Sequence, residues 1–149
     1  MNSKHFAHLN ITYMERYFRT ASWVAYGVSF FLLVFNGDTD ENRGFQAFIF
    51  GFSVAPGPWA ANVFYLIALF VRKKYRMIAL IFSGLAILLA CGTFSVHTIQ
   101  VGSGDKREDV PVTPGPGFWV WFSAMILLFI SFMIELRKNR KKPEEKLPA

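Results

Sequence analysis

Four stretches of this chain carry no Asp, Glu, Lys or Arg: residues 20–36, 45–71, 77–98 and 118–134. A water-soluble domain of 149 residues has too little interior to bury four such runs. In a bilayer each approaches or exceeds the roughly 20 residues that cross the hydrocarbon as a helix. Composition points the same way, with 53% hydrophobic and 17% aromatic residues and a mean hydropathy of +0.31. We therefore expect an all-α polytopic membrane protein, four transmembrane helices arranged as two tandem hairpins. The expected spans are about 20–36, 45–71, 77–98 and 118–136. An interfacial leader, 1–19, precedes them and a basic tail, 137–149, follows. The first apolar run is too long for the core of a cleaved signal peptide, so insertion without cleavage is expected.

Orientation follows from the cations. Residues 1–19 hold three Lys/Arg, 72–76 hold four and 137–149 hold six, against one in 37–44 and two in 99–117. Positive charge stays on the cytoplasmic side, so both termini are expected in the cytoplasm and two short loops outside, in a plasma or inner membrane. This asymmetry also accounts for the net charge of +6 without nucleic acid. The bilayer is the expected partner, with the tail attracted to anionic lipid.

Pro-Gly-Pro occurs twice, at Pro56-Gly57-Pro58 and, 58 residues later, at Pro114-Gly115-Pro116. With a looser match between Tyr26-Gly27-Val28 and Ser83-Gly84-Leu85, it suggests an internal repeat. The two copies differ in setting. The first lies inside an apolar run, where Pro56 and Pro58 would collide with the carbonyls of Phe52 and Val54, so a helix there kinks or breaks. The second precedes an apolar run, and Pro116 suits a helix start.

Helical spacing supplies further detail. In the leader, Phe6, Leu9, Tyr13 and Tyr17 recur at three and four while Glu15, Arg16 and Arg19 fall elsewhere, as in an interfacial helix or a partly ordered leader. Ser22, Ala25 and Ser29 form a small-residue seam on the first span. Ala79, Ser83, Ala86, Ala90, Thr93 and His97 form a longer one on the third, suited to close helix packing or to lining a narrow polar path. Trp23 marks one end of the first span. Trp119 and Trp121 read as an interfacial belt on the fourth.

Reactive groups are scarce. Glu135 is expected at the cytoplasmic boundary, paired with Arg137 or Lys138. His97 stands without a second histidine on its side, since His5 and His8 fall on the other, and Cys91 is expected to behave as a small apolar residue. No catalytic, metal or cofactor site is assembled from these residues. The one candidate pocket is polar and uncharged. It groups Asn62 with the carbonyls of Phe52 and Val54, the hydroxyl of Ser53, the break at Pro56 and Pro58, and His97 nearby. Two functions are expected from this inventory. The leading one is a non-catalytic accessory or interaction subunit, partnered by a larger membrane protein or a second copy. The alternative is a small uncoupled transporter, channel or lipid or small-molecule carrier built around the Pro-Gly-Pro break.

Overall fold

The computed structural model describes residues 3–36, 43–72, 74–101 and 108–140, with side chains for 13–36, 43–72, 74–99 and 109–138. The side chains of Phe6 and Leu9 in the leader, the charged centres of both loops and the tail beyond Arg140 lie outside that description. Five helices dominate: α1 (Ser3–Ser29), α2 (Gly44–Val54), α3 (Pro56–Val71), α4 (Arg76–Cys91) and α5 (Pro116–Arg140). A 3₁₀ turn, Gly92–Ser95, follows α4. Short strands β1 (Phe35–Asn36) and β4 (Thr113–Pro114) pair with each other, as do β2 (Thr98–Val101) and β3 (Glu108–Pro111). Two segments, Arg76–Ser95 and Pro116–Lys138, are long and apolar enough to cross a membrane.

The first apolar run does not stay helical to its end. Leader and run form one helix without a break near residue 20, and α1 stops at Ser29 rather than at 36. The carbonyls beyond it have other donors. Phe30 accepts from the Phe45 amide (3.0 Å), Leu32 from Gly44 (2.9 Å), and Leu33 and Val34 from Gly117 and Gly115 (both 2.7 Å). Backbones meet closely there: a Cβ on Gly115 would stand 2.7 Å from the Leu33 oxygen, and one on Gly44 would collide with the Ser29 carbonyl. These four carbonyls exchange an intrahelical partner for a tertiary one.

The second run divides at Ala55, whose φ of −143° and ψ of 76° lie outside helical space. Pro56 becomes the first residue of α3, where its missing N–H has no helical partner to lose. No ring collides with Phe52 or Val54, because the chain turns before the collision would occur. Helix α2 begins beside the end of α1 and leans on α3. The Trp59 indole donates to the Phe48 carbonyl at 2.6 Å, and Phe52 meets Trp59 edge to face at 5.5 Å. None of its residues is buried.

Helices α1, α3, α4 and α5 pack side by side, the largest interfaces joining α1 to α5 and α3 to α4. The first helix thus takes the last as its main neighbour. Stacked rings of Tyr26 and Tyr65, 4.4 Å apart, link α1 to α3. On α4 the spacing of small residues coincides with burial: Ala79, Ser83, Ala86 and Ala90 all face inward, continued by Thr93 in the 3₁₀ turn. His97 falls beyond the helix and is exposed, because the chain has by then turned toward β2. Small side chains fill much of the interior, with Ala61, Ala68 and Ala124 fully buried as well. Large ones do both: Tyr65, Phe118, Met125, Leu128 and Phe132 are buried among them, while Val24, Val63, Phe70, Ile81, Leu88 and Ile126 are exposed. Small residues at helix contacts with large apolar ones outside suit helices whose surroundings are not water.

Candidate functional site

Buried polar groups occupy three levels along the helices. At one end, α1 supplies Glu15 and Arg19, the turn after α3 supplies Arg72, α4 supplies Arg76 and α5 supplies Glu135. Arg72 bridges both acids, Nε to Glu135 at 2.7 Å and Nη2 to Glu15 at 2.8 Å. Arg19 reaches Glu15 at 2.9 Å and Arg76 reaches Glu135 at 3.0 Å. The signs alternate along this chain of five, so each carboxylate removed from water meets at least two cations. Glu135 thus pairs with Arg72 and Arg76, partners that the sequence reading, with Arg137 or Lys138 beside it, did not name. It lies on the inward face of α5, whereas Arg137 points out. Glu15 is likewise buried rather than on an outer polar face.

At the middle level the Ser22 hydroxyl donates to the Ala124 carbonyl at 2.7 Å. Its lone pair is then left to accept from the Tyr65 hydroxyl, 2.9 Å away. This ties α1, α3 and α5 together through one serine. Nearer the charged end, the buried Ser131 hydroxyl has no hydrogen-bond partner among the described residues.

The third level is a cavity at the opposite end, beneath α2. About 90 Å³ of it is open to the centre of a water-sized sphere, room for several waters or a short apolar segment. Gly44, Ala47, Phe48, Gly51 and Ala55 wall one side, a single helical stripe of mostly small residues that leaves the space unfilled. Tyr26 and Ser29 come from α1 and Phe30 from the turn after it, Pro58, Trp59 and Asn62 from α3, Phe118 and Trp121 from α5, and Thr93 from the 3₁₀ turn. The only polar knot is at Asn62. Its Oδ1 accepts from the Tyr26 hydroxyl at 2.9 Å and from the Trp121 indole at 2.8 Å, while its Nδ2 donates to the Trp59 carbonyl at 3.2 Å. Three helices thereby fix the orientation of one amide.

Of the pocket residues expected from sequence, Pro58 and Asn62 line this cavity and the others do not. Phe52, Ser53 and Val54 are exposed on the far face of α2, since the stripe that turns inward is offset from them. Pro56 is exposed at the head of α3, and His97 is exposed beyond α4. Tyr26, Trp59 and Trp121 were not read as site residues. The sequence pairs Trp121 with Trp119 as a belt, yet of the two only Trp119 faces out. Their signal was present: Tyr26 follows Ser22 by four and precedes Ser29 by three, on one helical face. No cluster of three His, Cys, Asp or Glu side chains suited to a metal ion occurs among the described residues.

Compared with known protein families, curated proteins and solved structures, the chain matches none.

Proposed function

We propose that this protein is a membrane-embedded binding protein or carrier that holds a small lipid-soluble molecule beneath α2. Four side-by-side helices suit a four-span reading, and the cation count of the sequence favours both termini in the cytoplasm. From the Arg72 layer to the loops, the described parts of α1, α3, α4 and α5 carry no charge. Sixteen residues of α3 make roughly 24 Å of helix, short of a core of about 30 Å, so the arginine layer and Trp23 and Trp119 would lie at the interfaces. The observation that carries the functional reading is the cavity itself. Its wall α2 is apolar on both faces, with Phe45, Ile49, Phe50 and Phe52 exposed on the outside. Such a wall suits an occupant that arrives through lipid.

The interaction-subunit reading has less to stand on. The small-residue seam of α4, which a partner helix would have used, is occupied within the bundle. Native mass spectrometry of the protein released from its own membrane tests the choice. A retained small-molecule mass that Ala47→Phe abolishes, by filling the cavity, is the expected result. A stoichiometric larger membrane protein, with no small-molecule mass, would restore the subunit reading.

A further inference from the structure

Resting on the binding-protein reading, the cavity also specifies what it binds. No charged side chain and no histidine lines it, and the bilayer-facing wall offers a charge no stabilisation. An ionised ligand is therefore disfavoured. The polar groups that remain are defined by subtraction. Both acceptor sites of the Asn62 carbonyl oxygen are taken by Tyr26 and Trp121, and one of its two amide hydrogens goes to Trp59. The second amide hydrogen has no partner among the described residues. Thr93 also lines the cavity, and its hydroxyl makes no hydrogen bond among the described residues. Asn62 is 7% exposed and Thr93 4%, so a partner for either group has to come through the cavity. An unpaired buried N–H is rarer and costlier than an under-used acceptor lone pair. The unmet demand in this cavity is thus for an acceptor.

We propose that the cavity takes an uncharged, lipid-soluble molecule presenting a carbonyl or ester oxygen to Asn62 and Thr93. Its apolar remainder lies among Phe30, Phe48, Trp59 and Phe118. The chemistry is shared by glycerolipid esters and by free lipophilic ketones or esters.

The test uses the full chain in maltoside micelles, with thermal midpoint as readout and four probes: methyl laurate, tridecane, sodium laurate and dioctanoylglycerol. Methyl laurate should raise the midpoint saturably, with a half-saturating concentration about tenfold below that of tridecane or of laurate. Thr93→Val leaves the anchors of Asn62 intact and should narrow the ester–alkane gap. Asn62→Leu should close it if the variant folds. Ala47→Phe should remove both responses. Tighter binding of dioctanoylglycerol than of methyl laurate assigns the ester to a glycerolipid, and the reverse order to a free carbonyl compound. Equal half-saturation for methyl laurate and tridecane, unchanged in Thr93→Val, overturns the acceptor assignment and leaves the carrier reading standing. No saturable response to any of the four overturns both.

Discussion

Arg72 shows what one side chain contributes here. Its planar fork reaches two carboxylates on different helices at once, Glu15 on α1 and Glu135 on α5. Removing it leaves both acids under-compensated at a largely buried site, and a broken buried pair costs several kcal/mol. Arg72→Met should destabilise by roughly 3 kcal/mol, read as a lower thermal midpoint in detergent. Arg72→Lys should recover only part, because an ammonium has no rigid fork to span two partners. Equal stability of the lysine variant would show that bridging is not what matters. The sequence marked Glu135 as a boundary charge but not its partners. A carboxylate beside a basic tail has many candidate cations, and only the packing of α3 and α4 brings Arg72 and Arg76 to it.

At the scale of elements, the two Pro-Gly-Pro copies have become different objects. Gly57, at the head of α3, has open space where a Cβ would stand, whereas Gly115 faces the Leu33 oxygen at 2.7 Å. Gly57→Ala should be neutral or stabilising, by up to about 1 kcal/mol. Gly115→Ala should cost about 1–3 kcal/mol, because backbone rather than a flexible side chain must give way. Matching effects in the two variants would argue that the copies are equivalent after all. Pro58→Ala alone should leave the break, since Pro56 and the non-helical Ala55 already separate α2 from α3. The seam on α4 makes a second case. Ala86→Leu and Ala90→Leu should each destabilise by about 1–3 kcal/mol through overpacking. Ile87, off the seam by spacing, nonetheless packs partly against the core, so the proper control is Leu88→Phe on the exposed face. A midpoint for Ala86→Leu equal to that of Leu88→Phe would mean that the seam is not packed.

For the whole molecule, the decisive question is orientation. The proposed four-span arrangement puts the cavity end outside and the arginine layer inside. In a Cys91→Ala background, needed because Cys91 is exposed, single cysteines at Thr39 or Ser103 should react with an impermeant thiol reagent in intact cells. A cysteine at Lys142 should react only after lysis. Labelling of Lys142→Cys in intact cells would invert the arrangement.

What the sequence determined by itself was local in origin. Charge-free runs set the helical class, a period of three and four set the inward face of α4, and proline chemistry set a kink or break at Pro56-Gly57-Pro58, since each depends on neighbours within one or two turns. What it left open depends on partners distant along the chain. Nothing near Ser29 ends α1; the amides of Gly44, Phe45, Gly115 and Gly117 do, by capturing the carbonyls that follow it. Trp119 and Trp121 are indistinguishable as residues two apart, until the seating of α5 against α1 and α4 turns one outward and the other toward Asn62. The cavity exists because α2, hinged at Ala55, lays a stripe of glycine and alanine against three helices whose aromatic rings do not fill the space it leaves. That is a property of how surfaces meet, and only the tertiary structure decides it.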